Sequence, residues 1–197
     1  MEIIEKKLKR NFELNENKTQ IILTHSSRSI IPFINSLKHR INGKNQKIPH
    51  FLIDREGKII QLLDELEVPK LFKDDNYNRN GIVICYENLG WLEKEVLKSY
   101  HINWIGNIYT NKVTNRKWRD YYLWQPYTEE QINSSVKLCK MISEKHGIKL
   151  KMVGHNTKVK GVESFEGIIT RSNFDEHSTS VSPAFDFEDF KKKLENE

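Results

Sequence analysis

Residues 50–62 read HFLIDREGKIIQL. Two apolar runs, 50–54 and 58–63, flank Arg55-Glu56-Gly57, and the glycine falls where a tight turn needs positive φ. This pattern predicts a β-hairpin. Upstream, Ile30, Ile31, Ile34, Leu37 and Ile41 recur at helical spacing over residues 29–41. Pro32 is tolerated only in a first helical turn, so this helix is expected to start near Ser29, and Gly43 suits its stop. Before it, residues 20–25 (QIILTH) predict a strand that closes on a histidine. After the hairpin, residues 81–86 (GIVICY) are another apolar β-type run.

The second half continues the alternation. Thr128 is placed to cap a helix, and Gln131 completes a capping box. Ile132, Val136, Cys139 and Ile142 make one face of that helix, and Gly147 ends it. Residues 148–154 (IKLKMVG) predict a final strand ending at His155, and residues 188–194 a closing helix. Strands alternating with helices make an α/β domain. Residues 3–14 mix charge with Ile3, Ile4, Leu8, Phe12 and Leu14 and predict a short N-terminal helix or arm over residues 1–19. The main domain then spans 20–197, interrupted at about 91–127. All four tryptophans lie in that interruption with five of the seven tyrosines. Two readings stand: a small satellite core, or a platform on which sugar rings stack.

The composition narrows the partners. A net charge of +5 in 197 residues suits an anionic partner, but the basic residues are dispersed, which argues against nucleic acid. No apolar run approaches the roughly 20 residues of a membrane-spanning helix, so no membrane insertion is expected. The first 18 residues are charged throughout, unlike a signal peptide. Cys85 and Cys139 form no CxxC pair, so neither a disulfide framework nor a cysteine-rich zinc module is expected.

Two histidines share a local setting. His25 closes ILTHSS and His155 closes MVGHNT, each at the junction of an apolar strand and a polar segment. A strand end holds a side chain rigidly yet open to solvent, which suits a metal ligand. A structural role is the competing reading for each.

The pieces ILTHSS, IPHFLIDREGKIIQLLDE, NRNGIVICYENLG, KMVGHNT and SPAFDFEDF occur in this order over roughly residues 20–190. Together they resemble the zinc-dependent N-acetylmuramoyl-L-alanine amidases, the group that includes phage lysozyme-type amidases and peptidoglycan recognition proteins. The resemblance implies a central mixed β-sheet flanked by helices. It implies one Zn²⁺ held by two histidines and a third ligand, and hydrolysis of the amide between N-acetylmuramic acid and L-alanine of the peptidoglycan stem. His25 matches the first ligand and His155 the second. Zn²⁺ with an open position would supply hydroxide near neutral pH, and a nearby carboxylate would move the proton.

The match is incomplete at two places. Counting back from Phe185, the acidic third ligand's place falls on Ser180 and the cysteine's place on Ser182. Serine hydroxyls are poor zinc ligands. His177, or less favourably Asp175, is then the expected third ligand. The glutamate's place on the GIVICY strand falls on Cys85, with Glu87 two residues on and so on the same face. Glu87 is the expected acid/base group. The family's tyrosine falls on Pro49, which brings in the adjacent His50 as a second catalytic candidate.

The sequence therefore predicts a peptidoglycan amidase with His25, His155 and His177 on zinc and with Glu87 and His50 as catalytic groups. A phage protein is expected, either a lysin in the host cytoplasm before release to the wall or a hydrolase carried in the virion with other virion proteins as partners; a cytoplasmic enzyme recycling wall fragments is the other possibility. The alternative is a catalytically degenerate amidase fold that binds peptidoglycan or serves as a virion structural protein.

Overall fold

A computed structural model describes residues 2–196. Its centre is a six-stranded mixed sheet in the order β1-β5-β4-β7-β3-β13. The strands are β1 (Ile3–Glu5), β3 (Gln20–His25), β4 (Phe51–Ile53), β5 (Ile59–Gln61), β7 (Gly81–Tyr86) and β13 (Gly167–Thr170). β4 and β5 are antiparallel, while β4, β7, β3 and β13 run parallel to one another. A two-stranded ribbon joins β2 (Glu13–Leu14) to β6 (Glu67–Val68).

Side chains alternate across this sheet with the period of two that a strand imposes. Ile21, Leu23, Phe51, Ile53, Ile84 and Tyr86 pack on one face. They meet α3 (Glu129–His146) through Ile132, Val136, Cys139 and Ile142, and α4 (Phe187–Asn196) through Phe190 and Leu194. On the opposite face, Leu52, Ile60 and Cys85 meet Leu37 and Ile34 of α1 (Ile30–His39). Beside them Ile22, Val83 and Ile169 pack with Tyr77 of α2 (Asp75–Asn80). Helices thus cover both faces, which explains why the central strands read as continuous apolar runs.

Several sequence expectations are met in detail. α1 starts after Ser29 with Pro32 in its first turn. The Thr128–Gln131 capping box is formed, and Gly147 closes α3 at φ 69°. In the hairpin turn Gly57 has φ 80°, and a Cβ there would lie 2.7 Å from the Glu130 carbonyl oxygen, so only glycine lets α3 approach. Both cysteines are free and buried.

Two expectations are corrected. Residues 3–5 and 13–14 are strands rather than a helix, because β1 extends the sheet beside β5 and β2 pairs with β6. Residues 148–154 contribute only a single bridge, Met152 with Ile168, and the last strand of the sheet is β13 instead. The aromatic segment is itself a five-stranded antiparallel sheet, order β10-β9-β8-β12-β11. Its strands are β8 (Trp91–Lys94), β9 (His101–Ile102), β10 (Ile108–Tyr109), β11 (Thr114–Trp118) and β12 (Tyr121–Trp124). Leu89, Leu92 and Tyr109 form its core, Trp91 stacks on Tyr121, and buried Trp124 donates from Nε1 to the Arg116 carbonyl. Most of the aromatic content therefore builds a satellite core. Trp104 is half exposed and faces the cavity described next.

Candidate functional site

His25 stands at the C-terminal end of β3, the strand next to one edge of the sheet. It lines a cavity of about 340 Å³ at the edge of α1. The imidazole is buried, and burial first and the Arg171 guanidinium second push its pKa from 6.5 down to about 3. It is therefore neutral at physiological pH. Its Nδ1 lies 3.0 Å from the Tyr127 hydroxyl. That hydroxyl oxygen accepts the Ser182 N–H at 3.3 Å, and burial keeps the phenol protonated by raising its pKa. Nε2 is buried and has no hydrogen-bond partner. Gly90 covers it at φ 77°, and a Cβ there would sit 3.1 Å from Nε2.

The neighbour of β3 on its free side is β13, in register Thr170 with Leu23. Arg171 follows β13 directly and lines the same cavity as His25. Arg171 reaches Asp175 Oδ2 through Nε at 3.1 Å and an Nη at 3.0 Å.

Ser180 ties the two strand ends together. Its Oγ accepts the His25 N–H at 2.6 Å and bonds Thr24 Oγ1 at 2.7 Å. Its carbonyl accepts the N–H of Ser172 and the Ser172 hydroxyl, each at 2.8 Å. Ser182 is buried, and its Oγ accepts the Ala184 N–H. Both serines at the expected third-ligand places are thus structural.

The other expected site residues lie elsewhere. His155 is exposed, its Nδ1 bonded to Thr157 Oγ1 at 2.8 Å, in a depression shared with Arg116 and Asp186 rather than in the His25 cavity. Its segment lies outside β13, and Arg171 rather than His155 lines the His25 cavity. The His177 side chain is 89% exposed and borders a third depression with Lys158 and Glu176. His50 is fully buried with both nitrogens used: Nδ1 accepts the Val83 N–H at 3.0 Å, and Nε2 donates to the Glu67 carbonyl at 2.9 Å. It braces β7 instead of facing the groove. Glu87 spends one oxygen on the Ile30 N–H at 2.9 Å and the other on the Arg55 N–H at 3.2 Å. Its carboxylate joins the N-terminus of α1 to the hairpin turn. The structure therefore does not assemble these five residues into one centre.

A zinc ion does not fit this donor set. Among the described residues no three His, Cys, Asp or Glu side chains converge to hold a metal. Beside His25 the adjoining strand end supplies a cation, and the third place supplies a hydroxyl already bonded twice.

The family model described as N-acetylmuramoyl-L-alanine amidase matches residues 13–166. The chain belongs to this family. The matched residues include β3 and His25 and stop one residue before β13. N-acetylmuramoyl-L-alanine amidase LysC from Clostridium intestinale URNW has a similar fold, with a TM-score of 0.62 and 16% identity over 99% of this chain and 98% of its own. The Ph2119 endolysin from Thermus scotoductus MAT2119 bacteriophage Ph2119 gives a TM-score of 0.56 and 10% identity, covering 98% of this chain and 99% of its own. The ectodomain complex of peptidoglycan recognition proteins LCa and LCx, bound to tracheal cytotoxin, gives 0.57 and 12%, covering 98% of this chain and 96% of that chain. No curated protein sequence matches the chain. The amidase and recognition-protein fold read from the sequence is thus the fold observed. No described helix is long and apolar enough to cross a membrane.

Arg171 was missed in the sequence because β13 is only four residues long. A signal was present. Ile169-Thr170-Arg171-Ser172 repeats the Leu23-Thr24-His25-Ser26 pattern of the other strand end.

Proposed function

We propose that this family member binds peptidoglycan stem-peptide fragments at the His25 edge of its sheet without cutting them. One observation carries this reading: the cavity that His25 lines also holds Arg171, the residue that follows β13, a permanent cation that cannot ligate a metal. Binding is supported by the family and by neighbours whose names specify amidases or a bound muropeptide ligand. The cavity wall supplied by Trp104 of the insertion offers an aromatic surface for such a ligand.

The family match itself favours a second reading, zinc-dependent hydrolysis of the N-acetylmuramic acid–L-alanine amide, in a phage lysin or virion protein. Metal analysis and two assays on the purified full chain separate the readings. Binding without cleavage requires that soluble muropeptides bind, that no stoichiometric zinc is held after incubation with the metal, and that sacculi release no stem peptide. Stoichiometric zinc together with stem-peptide release would establish the hydrolytic reading instead.

A further inference from the structure

Lys9, Arg10 and Lys44 line a depression of about 440 Å³ between the N-terminal arm and the loop after α1, and no acidic side chain lines it. The depressions beside His155 and His177 are mixed in charge. Arg116 meets Asp186 and Glu188 in one, and Lys73 and Lys158 meet Asp74 and Glu176 in the other. The cations of the arm depression are far apart in the chain, and folding gathers them. Residues 17–53 contain six Lys and Arg and no Asp or Glu, and residues 6–12 add four more cations and no acid. Arg10 fastens the arm: its Nη groups donate to the Lys9 carbonyl at 2.9 Å and to the Lys38 carbonyl at 3.4 Å. Gln46 Nε2 donates across the same junction to the Asn11 carbonyl at 2.8 Å. Compensation of the helix dipole accounts for Lys38 and His39 in the last turn of α1, but it fades within that turn and does not reach Lys9 or Lys44. Lys7 pairs with Asp64, whereas Lys9, Arg40, Lys44 and Lys47 are exposed and make no ion pair among the described residues. Gathered like charges repel one another, so this surface favours an anion that offsets them.

The surroundings choose among anions. Segment 40–47 gives Lys44 to this depression and Arg40 and Lys47 to the His25 cavity, so positive charge runs on from one to the other. That continuity suits a repeating anion. No aromatic side chain lines the depression for a nucleobase to stack on. Ile41 is the one apolar residue of segment 40–47, and a single exposed isoleucine is too little to hold a bilayer. We propose that the arm and the loop after α1 form a docking surface for the phosphodiester polymer of a bacterial cell wall, with one phosphate seated between Lys9, Arg10 and Lys44. The inference rests on the wall-binding reading for its occupant.

The test titrates purified poly(glycerol phosphate) into the full chain. Single-stranded DNA of equal charge, phosphatidylglycerol vesicles and a polymer-free muropeptide are separate probes. Lys9→Gln combined with Lys44→Gln is expected to weaken polymer binding about tenfold and to make the fall of log affinity with log salt shallower by about 1.4, at about 0.7 per phosphate contact. Lys191→Gln combined with Lys192→Gln removes the same charge from two exposed lysines of α4. That control is expected to stay within about twofold of the natural chain. Lys44→Glu is expected to show the tenfold loss by itself if the double variant does not fold. Unchanged polymer affinity in a folded Lys9/Lys44 variant overturns the inference, as does an equal loss in the α4 control, which would assign binding to net charge. DNA or vesicles bound at least as tightly as the polymer overturn the choice of occupant. The two readings fail separately. Polymer binding that depends on Lys9 and Lys44, without muropeptide binding, upholds the surface and sinks the muropeptide reading; muropeptide binding without polymer binding does the reverse.

Discussion

β3 leaves the sheet as Leu23-Thr24-His25-Ser26, and beside it β13 leaves as Ile169-Thr170-Arg171-Ser172. The strands are parallel, with Thr170 opposite Leu23, and Ser180 clasps both ends. The two basic residues are treated in opposite ways. His25 is buried, neutral and held by Tyr127, whereas Arg171 stays charged, half exposed and paired with Asp175. One edge therefore keeps a fixed imidazole, and the other replaces any second ligand with a cation. A metal centre depends on adjoining strand ends agreeing in chemistry, and one arginine is enough to break that agreement.

The sharpest way to reverse this contrast is to restore the agreement. Arg171→His combined with Ser180→Asp places an imidazole and a carboxylate beside His25. An aspartate at 180 also keeps an acceptor for the His25 N–H. The double variant is expected to bind zinc at least about 100-fold more tightly than the natural chain, by competition against a chromogenic chelator. No gain in a folded double variant would show that these strand ends do not share a metal position.

The second test uses pH. His25 and His50 are both held neutral, their pKa values lowered from 6.5 to about 3, chiefly by burial. Lys18 adds to the lowering at His50. The unfolded chain binds these protons near pH 6.5 and the native chain does not. Their contribution to stability is therefore complete above pH 6.5 and declines as pH falls towards 3. Each buried imidazole is expected to steepen that decline by about 1.4 kcal/mol per pH unit. Urea unfolding of the natural chain, His25→Gln and His50→Gln between pH 7 and pH 4.5 checks it. An unchanged slope in either variant would remove that histidine from the account.

Glu87 gives a smaller effect on the same edge. Glu87→Ala leaves the N–H groups of Ile30 and Arg55 without their carboxylate and removes a negative charge from the first turn of α1. A loss of about 2 kcal/mol in unfolding free energy is expected, with roughly half recovered by Glu87→Gln, which keeps one acceptor oxygen. Unchanged stability would return Glu87 to the list of groups free to act on a ligand.

The difference between the strand ends also explains what could be read in advance. The hairpin, β3, β7, α1 and α3 were legible because each carries a full period of apolar residues and a turn or cap signal, as at Gly57 and the Thr128–Gln131 box. β13 carries four residues, too few for periodicity, while residues 148–154 have a strand-like pattern but make one bridge. That exchange moved the inferred partner of His25 from Arg171 to His155. Nor could the sequence show that the Glu87 and Ser180 side chains are consumed by backbone N–H groups. Those bonds join segments 57 and 155 residues apart and exist only once the sheet is assembled.

The smallest expected effects concern the histidines outside this edge. His155 is exposed, and its ring bonds only within its own loop, to Thr157. The His177 side chain is 89% exposed, and its nearest charged partner is the adjacent Glu176 at 4.0 Å. Surface substitutions of this kind change stability by no more than about 0.5 kcal/mol. His155→Ala and His177→Ala are each expected to stay within that range by urea unfolding and to leave muropeptide affinity within about twofold. A tenfold loss of affinity in either variant would extend the ligand site beyond the His25 cavity, and for His155 it would join the depression beside Asp186 to the groove.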